Sequence, residues 1–416
     1  MSAAEQRLLQ TEDREMKKPE LLAPAGDLHR AKTAIRYGAD AVYLGGQYFS
    51  LRSRASNFTM EDIREACRFA EEYAAHIHVT VNIIPHDEDF EGIEEYLKKL
   101  EEYGVTAIIC ASPAIMKIAR MTAPKLQIHC STQLSVTNSN AIQYLKNALD
   151  IDRAVLAREC TMAQVKDITK HSPVETEAFI HGGMCVNYSG RCTLSNRMTL
   201  RDANRGGCAQ SCRWNYELYD HDKKISSDPL FTMGSRDLCA ASYLYDLMEA
   251  GVSSLKIEGR MKTEYYVASI VSSYRHFIDE IYETGAPLSS ERMAVHRKEI
   301  QRGENRETCT GFYSGSADVH SLIYHANSNS DVNHDFLGTV KKVHDGICLI
   351  ETRNVFSVNE MLEFLTPGKE NRRFKLSSMK NAKTQEQIET IRSPMSLVEI
   401  PIDLDVQEND ILRRYR

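Results

Sequence analysis

The sequence has 416 residues, of which 42% are hydrophobic and 26% are charged. These proportions are typical of a globular protein with room for one large domain and one small one. Its formal net charge of -7 excludes a generic polyanion binder, so any contact with nucleic acid must come from a local basic patch.

The cysteines and the first residues indicate the cellular compartment. Eleven cysteines are present, and residues 1–18 form a polar leader of mixed charge rather than an apolar export segment. We therefore expect a cytoplasmic protein with reduced thiols and no disulfide framework. No run of about 18 apolar residues occurs, so no membrane-spanning helix and no membrane partner are predicted.

Short apolar runs alternate with amphipathic stretches such as 60–74 and 90–103. The predicted strands are 20–24, 41–45, 77–82, 107–110, 127–132, 153–157, 176–181 and 254–258. Strands separated by helices favour parallel pairing, and eight such units predict a TIM-type (β/α)8 barrel over 19–284, near the usual ~250 residues. An open doubly wound sheet is the alternative, but no Gly-x-Gly-x-x-Gly loop follows a strand.

One connection, from residue 182 to residue 253, is much longer than the others. It follows the seventh predicted strand, and we predict within it a hairpin pairing 214–219 with 230–233 and a helix over 242–249. Long insertions at the carboxyl ends of barrel strands commonly carry function.

Beyond residue 284 the composition changes. Few periodic signals occur over 285–333, which we interpret as a linker region. Short apolar runs at 337–340, 347–351, 361–365 and 397–400, separated by turn residues, predict a small β-barrel domain over 334–416.

The long insertion contains Cys185, Cys192, Cys208 and Cys212 in glycine-rich sequence. Four thiolates suit a soft metal centre, and glycines let backbone amides approach the sulfurs. Six residues separate Cys185 from Cys192, more than the about two to four typical of zinc sites, so an iron-sulfur cluster is favoured and zinc is the alternative. Cys239 is an alternative to Cys212. The other cysteines are more typical of small core residues: Cys67, Cys110, Cys130, Cys160, Cys309 and Cys348.

The same insertion is locally basic and aromatic. Its arginines are Arg191, Arg197, Arg201, Arg205 and Arg213, with Asp202 against them, and its aromatic residues include Tyr188, Trp214 and Tyr216. Arginine binds phosphate or carboxylate in bidentate fashion and aromatic rings stack on unpaired bases, so the pattern suits a single-stranded RNA loop. The alternative is a solvated loop whose arginines pair with nearby acids.

Polar residues at other strand ends are expected to meet at the barrel mouth. They are Asn82, His129, Gln133, Arg158, Glu159, His181, Lys256, Glu258 and Arg260. The predicted catalytic residues are Glu159, His181, Lys256 and Glu258, and the predicted substrate-binding residues are Arg158, Arg260, Arg191 and Arg213. Arg260 is a candidate clamp for a carboxylate substrate. Each of these residues has the alternative of satisfying a loop backbone.

Two stretches carry a family resemblance. Glu177-x-Phe179-Ile180-His181-Gly182, followed by Cys185 and by Tyr188-Ser189-Gly190-x-Cys192-x-Leu194-Ser195, resembles the signature of the U-32 collagenase-like peptidase family. The segments 19–26 and 254–260 match as well. Within that family the sequence is most similar to tRNA hydroxylation proteins.

The resemblance implies a prephenate-dependent hydroxylation of the tRNA wobble uridine to 5-hydroxyuridine. It also implies a 4Fe-4S cluster on Cys185, Cys192, Cys208 and Cys212, the tRNA anticodon loop as substrate, and an electron donor or paralogous partner protein. Alternatives are hydroxylation of ribosomal RNA or of another substrate, a collagenase-like peptidase, and a non-catalytic RNA-binding or cluster-carrying scaffold. The sequence lacks the His-Glu-x-x-His and Gly-x-Ser-x-Gly motifs, and metal-bound cysteines would not be free nucleophiles.

Overall fold

The computed structural model describes residues 16–51, 57–226, 232–304, 306–315 and 335–416. The strands before residue 315 are β1 (Glu20–Pro24), β2 (Ala41–Gly45), β3 (His76–Val81), β4 (Ala107–Cys110), β5 (Gln127–Cys130), β6 (Arg153–Val155), β7 (Glu175–Gly182), β8 (Tyr219–Asp220), β9 (Lys223–Lys224), β10 (Asp237–Cys239), β11 (Ser254–Ile257) and β12 (Thr308–Cys309). Strands β1 to β7 and β11 are parallel neighbours, and β11 pairs with both β1 and β7. The sheet is therefore closed, and the predicted TIM-type barrel is confirmed.

Helices cover the outside of the barrel. They are α1 (Leu28–Arg36), α2 (Met60–Glu72), α3 (Ile93–Glu102), α4 (Pro113–Thr122), α5 (Ser139–Leu149), α6 (Met162–His171), α7 (Leu194–Thr199), α8 (Leu244–Glu249), α9 (Glu264–Thr284) and α10 (Ser290–Gly303). Several begin at a side-chain cap: Thr59 accepts a hydrogen bond from the amide of Asp62, and Thr161 accepts one from the amide of Gln164. These caps fix where each helix leaves the preceding loop.

The insertion leaves the barrel and returns to it at one place. Strand β10 pairs antiparallel with the end of β7, with Cys239 opposite His181. The predicted partner of 214–219 is wrong, because Tyr219–Asp220 pairs with Lys223–Lys224 across a turn at His221. Residues 230 and 231 of that prediction lie outside the described residues.

Part of the predicted linker, 285–333, is helical. Helix α10 packs against α9, where the rings of Phe277 and His296 stack with centroids 4.4 Å apart. Strand β12 then extends the sheet beside β10. These residues are therefore continuous with the barrel, while 316–334 lie outside the described residues.

The C-terminal domain is antiparallel. Its strands are β13 (Phe336–His344), β14 (Ile347–Thr352), β15 (Phe356–Ser357), β16 (Met361–Leu365), β17 (Arg372–Lys375), β18 (Lys380–Asn381), β19 (Thr390–Ile391), β20 (Leu397–Pro401) and β21 (Ile411–Arg414). Seven of them form a sheet in the order β17-β16-β21-β13-β14-β20-β18, a half-barrel with its own apolar core. The Tyr37 hydroxyl of α1's C-cap donates to the Leu365 carbonyl at 2.8 Å, so the two domains are in contact.

No helix in the described ranges combines the length and the apolar character needed to cross a bilayer.

Candidate metal centre and barrel mouth

The cysteine-rich insertion starts where β7 ends, and a glycine permits its path. Gly182 has φ of +102°, and a Cβ there would lie 2.1 Å from the Glu258 carbonyl oxygen. Only glycine tolerates both the positive φ and this close approach. The chain therefore enters the insertion directly against the residue that follows β11.

The loop between the first two cysteines is docked on the ends of β5 and β6. The Glu159 carboxylate accepts hydrogen bonds from the Ser189 amide and hydroxyl, each at 2.9 Å. The Ser135 hydroxyl donates to the Ser189 carbonyl at 2.5 Å. Gly190 has φ of +75°, and its missing side chain leaves room for Gln133, whose carbonyl oxygen lies 2.0 Å from the position of a Cβ. Glu159 is thus an anchor of the cysteine loop.

The following part of the insertion reaches across to the end of β3. The Asn204 side chain donates to the Cys192 carbonyl at 3.2 Å, and the Asn204 carbonyl accepts from the Ile84 amide at 3.0 Å. The Arg205 guanidinium pairs with the Asp89 carboxylate. The insertion therefore spans the barrel mouth from β3 to β6.

The four cysteines Cys185, Cys192, Cys208 and Cys212 all lie in the first half of the insertion. Cys185 and Cys208 are exposed, while Cys192 and Cys212 are half-buried. Desolvation raises the pKa of Cys212, and negative charge on the other three thiols raises it further. The Asn187 side-chain amide lies 3.0 Å from the Cys192 sulfur, to which it donates. The other three sulfurs therefore act electrostatically on Cys212, and the Cys192 sulfur is hydrogen-bonded.

The separation of these sulfurs bears on which metal the site fits. Among the described residues, the one group of three metal-binding atoms all within 4.8 Å of one another contains none of these four cysteines. Four thiolates bound to one zinc ion at about 2.3 Å would lie about 3.8 Å apart. A cluster with several irons holds its thiolates further apart. Four thiolates are donors that both an iron-sulfur cluster and a zinc ion accept, and the preference for a cluster stays a prediction.

Cys239 lies apart from this group. It is buried, and its sulfur is 3.8 Å from the Tyr274 hydroxyl on α9. Burial raises the pKa of Cys239 to about 11. This placement favours Cys212 over Cys239 as a neighbour of the other three thiols.

An arginine and a glutamate at the barrel mouth adjoin Cys185. Arg158 stacks over the Phe179 ring at 3.7 Å, and its Nη2 lies 3.7 Å from Oε2 of Glu258. The Tyr43 hydroxyl donates to the same Glu258 oxygen at 3.1 Å. Desolvation raises the pKa of Cys185, Arg158 opposes that rise, and Glu258 adds to it. The predicted residues Arg158 and Glu258 therefore lie beside the cysteine group.

Arg260 is placed deeper. Its Nη1 donates to the Ser50 hydroxyl at 3.1 Å, to the Thr80 hydroxyl at 3.3 Å and to the Leu51 carbonyl at 3.2 Å. The Asn82 side chain accepts from the Leu51 amide at 3.2 Å. Arg260 thus ties together the ends of β2 and β3, and its use as a carboxylate clamp stays a prediction.

Lys256 lies inside the barrel, below the mouth. Its ammonium is 2.7 Å from the buried Glu177 carboxylate, which Arg153 also approaches at 3.4 Å. The Lys256 nitrogen lies 4.5 Å from the centroid of the Tyr43 ring. His129 is in the same interior, where burial holds its pKa well below the usual value. Lys256 is therefore a member of an internal ion network, and it adjoins the mouth through the rings of Tyr43 and Phe179.

His181 accepts a backbone hydrogen bond from the Glu258 amide at 2.8 Å, but its side chain faces α9. Its Nδ1 lies 3.3 Å from the Tyr274 hydroxyl, and its ring packs against Tyr266 with centroids 5.9 Å apart. Burial lowers its pKa to about 3, so the ring is neutral at physiological pH. The structure places His181 between the barrel and α9, behind the mouth.

Family models match nearly the whole chain. The model of Peptidase family U32 matches residues 26–322, and that of the Peptidase family U32 C-terminal domain matches residues 332–413. The chain belongs to Peptidase family U32. The resemblance carried by the cysteine motif is therefore confirmed, and the match includes the antiparallel domain.

Curated proteins similar to this chain are named for different activities. The tRNA hydroxylation protein P1 of Bacillus subtilis (strain 168) is 39% identical, over 96% of this chain and 95% of its own length. A 23S rRNA 5-hydroxycytidine synthase of Escherichia coli (strain K12) is 39% identical over 65% of this chain and 41% of that protein. A collagenase of Porphyromonas gingivalis is 32% identical over 71% of this chain and 73% of its own.

The basic patch of this U32 chain is smaller than the sequence predicts. Arg205 is paired with Asp89, and Arg213 donates to the Met184 carbonyl at 3.3 Å. Arg191 and Arg197 are exposed, and so are Tyr188 and Trp214, at 48% and 43%. Nε of Arg191 donates to the Ser135 hydroxyl at 3.3 Å. The alternative of internal pairing therefore holds for Arg205 and Arg213, while Arg191 and Arg197 lie at the surface.

Two site residues were missed from the sequence. Tyr43, in the middle of β2, donates a hydrogen bond to Glu258, and the Ser189 amide donates one to Glu159. The hydroxyl of Tyr43 within an otherwise apolar predicted strand is a signal for a polar partner inside the barrel. Ser189 has no comparable signal, since its partner is 30 residues away in the sequence.

Proposed function

We propose that this chain hydroxylates C5 of the tRNA wobble uridine to give 5-hydroxyuridine, with prephenate as co-substrate and a 4Fe-4S cluster on Cys185, Cys192, Cys208 and Cys212. The observation that carries the proposal is the similarity to the Bacillus subtilis tRNA hydroxylation protein P1, 39% identical over 96% of this chain and 95% of that protein. Such a match includes the insertion and the C-terminal domain as well as the barrel.

The surface of the insertion suits a single-stranded RNA loop. Exposed Arg191 and Arg197 can contact phosphates, and exposed Tyr188 and Trp214 offer faces on which unpaired bases stack. An anticodon loop presents unpaired bases, so its wobble base can leave the stack at small cost and enter the mouth. The tRNA anticodon loop is therefore the substrate we assign to this surface.

Arg158 is the residue we assign to a carboxylate of prephenate, which is a dicarboxylate. Its side chain is 12% exposed, lies at the mouth and affects the Cys185 thiol. Its Nε is buried and has no hydrogen-bond partner among the described residues, so a bound carboxylate can satisfy it. Lys256 and Arg260 already bind Glu177, Ser50 and Thr80 deeper in the barrel.

The reaction replaces the C5–H bond with a C5–OH bond, which is a two-electron oxidation of the base. A bound iron-sulfur cluster would supply one-electron chemistry beside it. With water as the source of the oxygen atom, two protons and two electrons leave the base, and a redox partner such as the paralogous protein would accept the electrons. The chain's own contribution is to hold the base and the co-substrate at the mouth, with Glu159 keeping the cysteine loop in place.

The test is nucleoside mass spectrometry of tRNA from a strain that lacks this gene and its paralogues. We expect 5-hydroxyuridine to disappear, to return with the wild-type gene, and not to return with Cys192→Ser or Arg158→Ala. Cys309→Ser, a half-buried cysteine outside the insertion, is the matched control and should restore it. The complemented strain should also lose the nucleoside when it cannot make prephenate.

Unchanged 5-hydroxyuridine in the deletion strain would overturn the proposal. The same digests report on ribosomal RNA, so loss of 5-hydroxycytidine alone would assign the activity suggested by the Escherichia coli relative. Cleavage of collagen-like peptides by the purified protein, abolished by Glu159→Ala or His181→Ala, would favour a peptidase. RNA binding without any modification in either RNA would favour a non-catalytic scaffold.

A further inference from the structure

Three metal-binding side chains meet outside the cysteine-rich loop. They are His181 at the end of β7, Cys239 at the end of β10 and Glu304 just after α10, and their ligand atoms all lie within 4.8 Å of one another. His181 and Cys239 are buried and Glu304 is half-buried. Among the described residues this is the one such group.

We propose that His181, Cys239 and Glu304 bind one divalent ion of the zinc class, as a site separate from the insertion's four-cysteine centre. Imidazole nitrogen, thiolate sulfur and carboxylate oxygen are the donors that zinc binds in proteins. Zinc bonds of about 2.0–2.3 Å place ligand atoms about 3.5 Å apart, so the three side chains need to approach by only about 1 Å.

The charges balance in the bound state. The Cys239 thiol gives up its proton to solvent on binding, and the resulting thiolate and the Glu304 carboxylate neutralise the two positive charges of the ion. His181 contributes a neutral ring. A neutral complex suits a buried position, where an uncompensated charge is strongly disfavoured.

The surrounding groups bring the ligand side chains together. Oε1 of Glu304 is buried. The Glu304 carboxylate is hydrogen-bonded with the Cys239 side chain, and its Oε2 accepts from the Thr308 hydroxyl at 3.5 Å. The Tyr274 hydroxyl lies 3.3 Å from Nδ1 of His181 and donates to the Ile180 carbonyl at 3.1 Å. Such outer contacts orient ligand side chains in metal sites.

The position in the fold assigns the ion a structural role. Cys239 is opposite His181 in the sheet, and these two residues flank the insertion where it leaves and rejoins the barrel. Glu304 is the C-cap residue of α10, directly after the last helical residue Gly303. The ion would therefore hold both ends of the insertion and α10 together, directly behind the barrel mouth.

The experiment uses the full-length chain with the insertion's thiols removed, C185S, C192S, C208S and C212S combined, so that bound metal reports on the remaining site. The protein is titrated with Zn²⁺ or Co²⁺, dialysed, and analysed for metal by mass spectrometry. We expect one zinc per chain and, with Co²⁺, a thiolate charge-transfer band. Adding Cys239→Ser or Glu304→Gln should weaken binding about tenfold or more.

Matched controls are Cys309→Ser and Glu307→Gln, which alter a neighbouring cysteine and a glutamate paired with Arg236. Both should keep one zinc per chain. Circular dichroism shows whether each variant is folded. If the four-serine chain does not fold, zinc and iron are counted in the anaerobically reconstituted wild-type protein and in its Cys239→Ser variant.

In that arm we expect Cys239→Ser to lose zinc and keep iron. Loss of iron with retention of zinc would make Cys239 a ligand of the cluster and overturn the proposal. Absence of stoichiometric zinc, or binding unchanged by both Cys239→Ser and Glu304→Gln, would also overturn it. None of these readouts involves tRNA hydroxylation, so the two proposals fail independently.

Discussion

Replacing Glu159 by alanine should loosen the cysteine loop while leaving the barrel folded. The Glu159 carboxylate accepts hydrogen bonds from the Ser189 amide and hydroxyl, each at 2.9 Å. Ser189 lies between Cys185 and Cys192 in the sequence. A hydrogen bond to a charged group contributes about 1.5–3 kcal/mol, and the remaining contact of Ser189 with Ser135 is kept. We expect Glu159→Ala to destabilise the docked loop by about 2–3 kcal/mol, which reduces its population about 30- to 150-fold relative to undocked forms.

The assay is retention of iron by the anaerobically reconstituted protein. We expect the absorbance near about 400 nm, typical of thiolate-bound clusters, to decay much faster for Glu159→Ala when a chelator is added. Glu249→Ala on α8, which breaks an exposed pair with Lys166 on α6, is the matched control and should decay like the wild type. Equal decay rates for Glu159→Ala and the wild type would refute the anchoring role of this carboxylate.

Three further predictions follow from other contacts. Lys256→Met removes the ammonium beside the buried Glu177 carboxylate and leaves Arg153 at 3.4 Å as its cation. We expect the free energy of unfolding, measured in urea, to decrease by about 3–5 kcal/mol, and a decrease below about 1 kcal/mol would contradict the ion network. Burial raises the pKa of Asp410 from 3.8 to about 6, so as the pH rises the carboxyl ionises in the unfolded chain first. The free energy of unfolding should therefore decrease by about 2–3 kcal/mol as the pH rises from about 4 to about 6. Asp410→Asn should abolish this decrease, and an equal pH dependence in both proteins would disprove the prediction. Exposed Arg191→Ala should weaken tRNA binding and lower its salt slope by about 1 in filter-binding assays, and an unchanged slope would remove Arg191 from the RNA surface.

The barrel was predictable because its strands are nearly continuous apolar runs. β2 and β4, for example, are buried along their whole length, as expected of parallel strands covered by helices. Helix α10 was missed for the opposite reason. Its sequence is mostly polar, and it buries only His296, Ile300, Arg302 and Gly303, so no apolar stripe marks it.

A metal site on the four cysteines could be proposed from sequence, since these residues cluster within one insertion. The roles of the charged residues could not. Arg205 pairs with Asp89, 116 residues away in the sequence, and Lys256 pairs with Glu177, 79 residues away. Such pairs depend on how strand ends and loops come together in space, and local spacing carries no signal for them. The position of His181 behind the mouth has the same origin, because β10 returns beside β7 only after the whole insertion.

The charges at the mouth explain why a carboxylate would bind at Arg158 rather than at Lys256. The Lys256 ammonium lies 2.7 Å from Glu177, so displacing that carboxylate would leave a buried charge uncompensated. Arg158 and Glu258 are 3.7 Å apart, beyond hydrogen-bond distance, and Tyr43 separately holds Glu258. A bound carboxylate can therefore accept hydrogen bonds from Arg158 while Glu258 keeps the hydrogen bond from Tyr43. The anion would then lie near Cys185, on which Arg158 acts electrostatically.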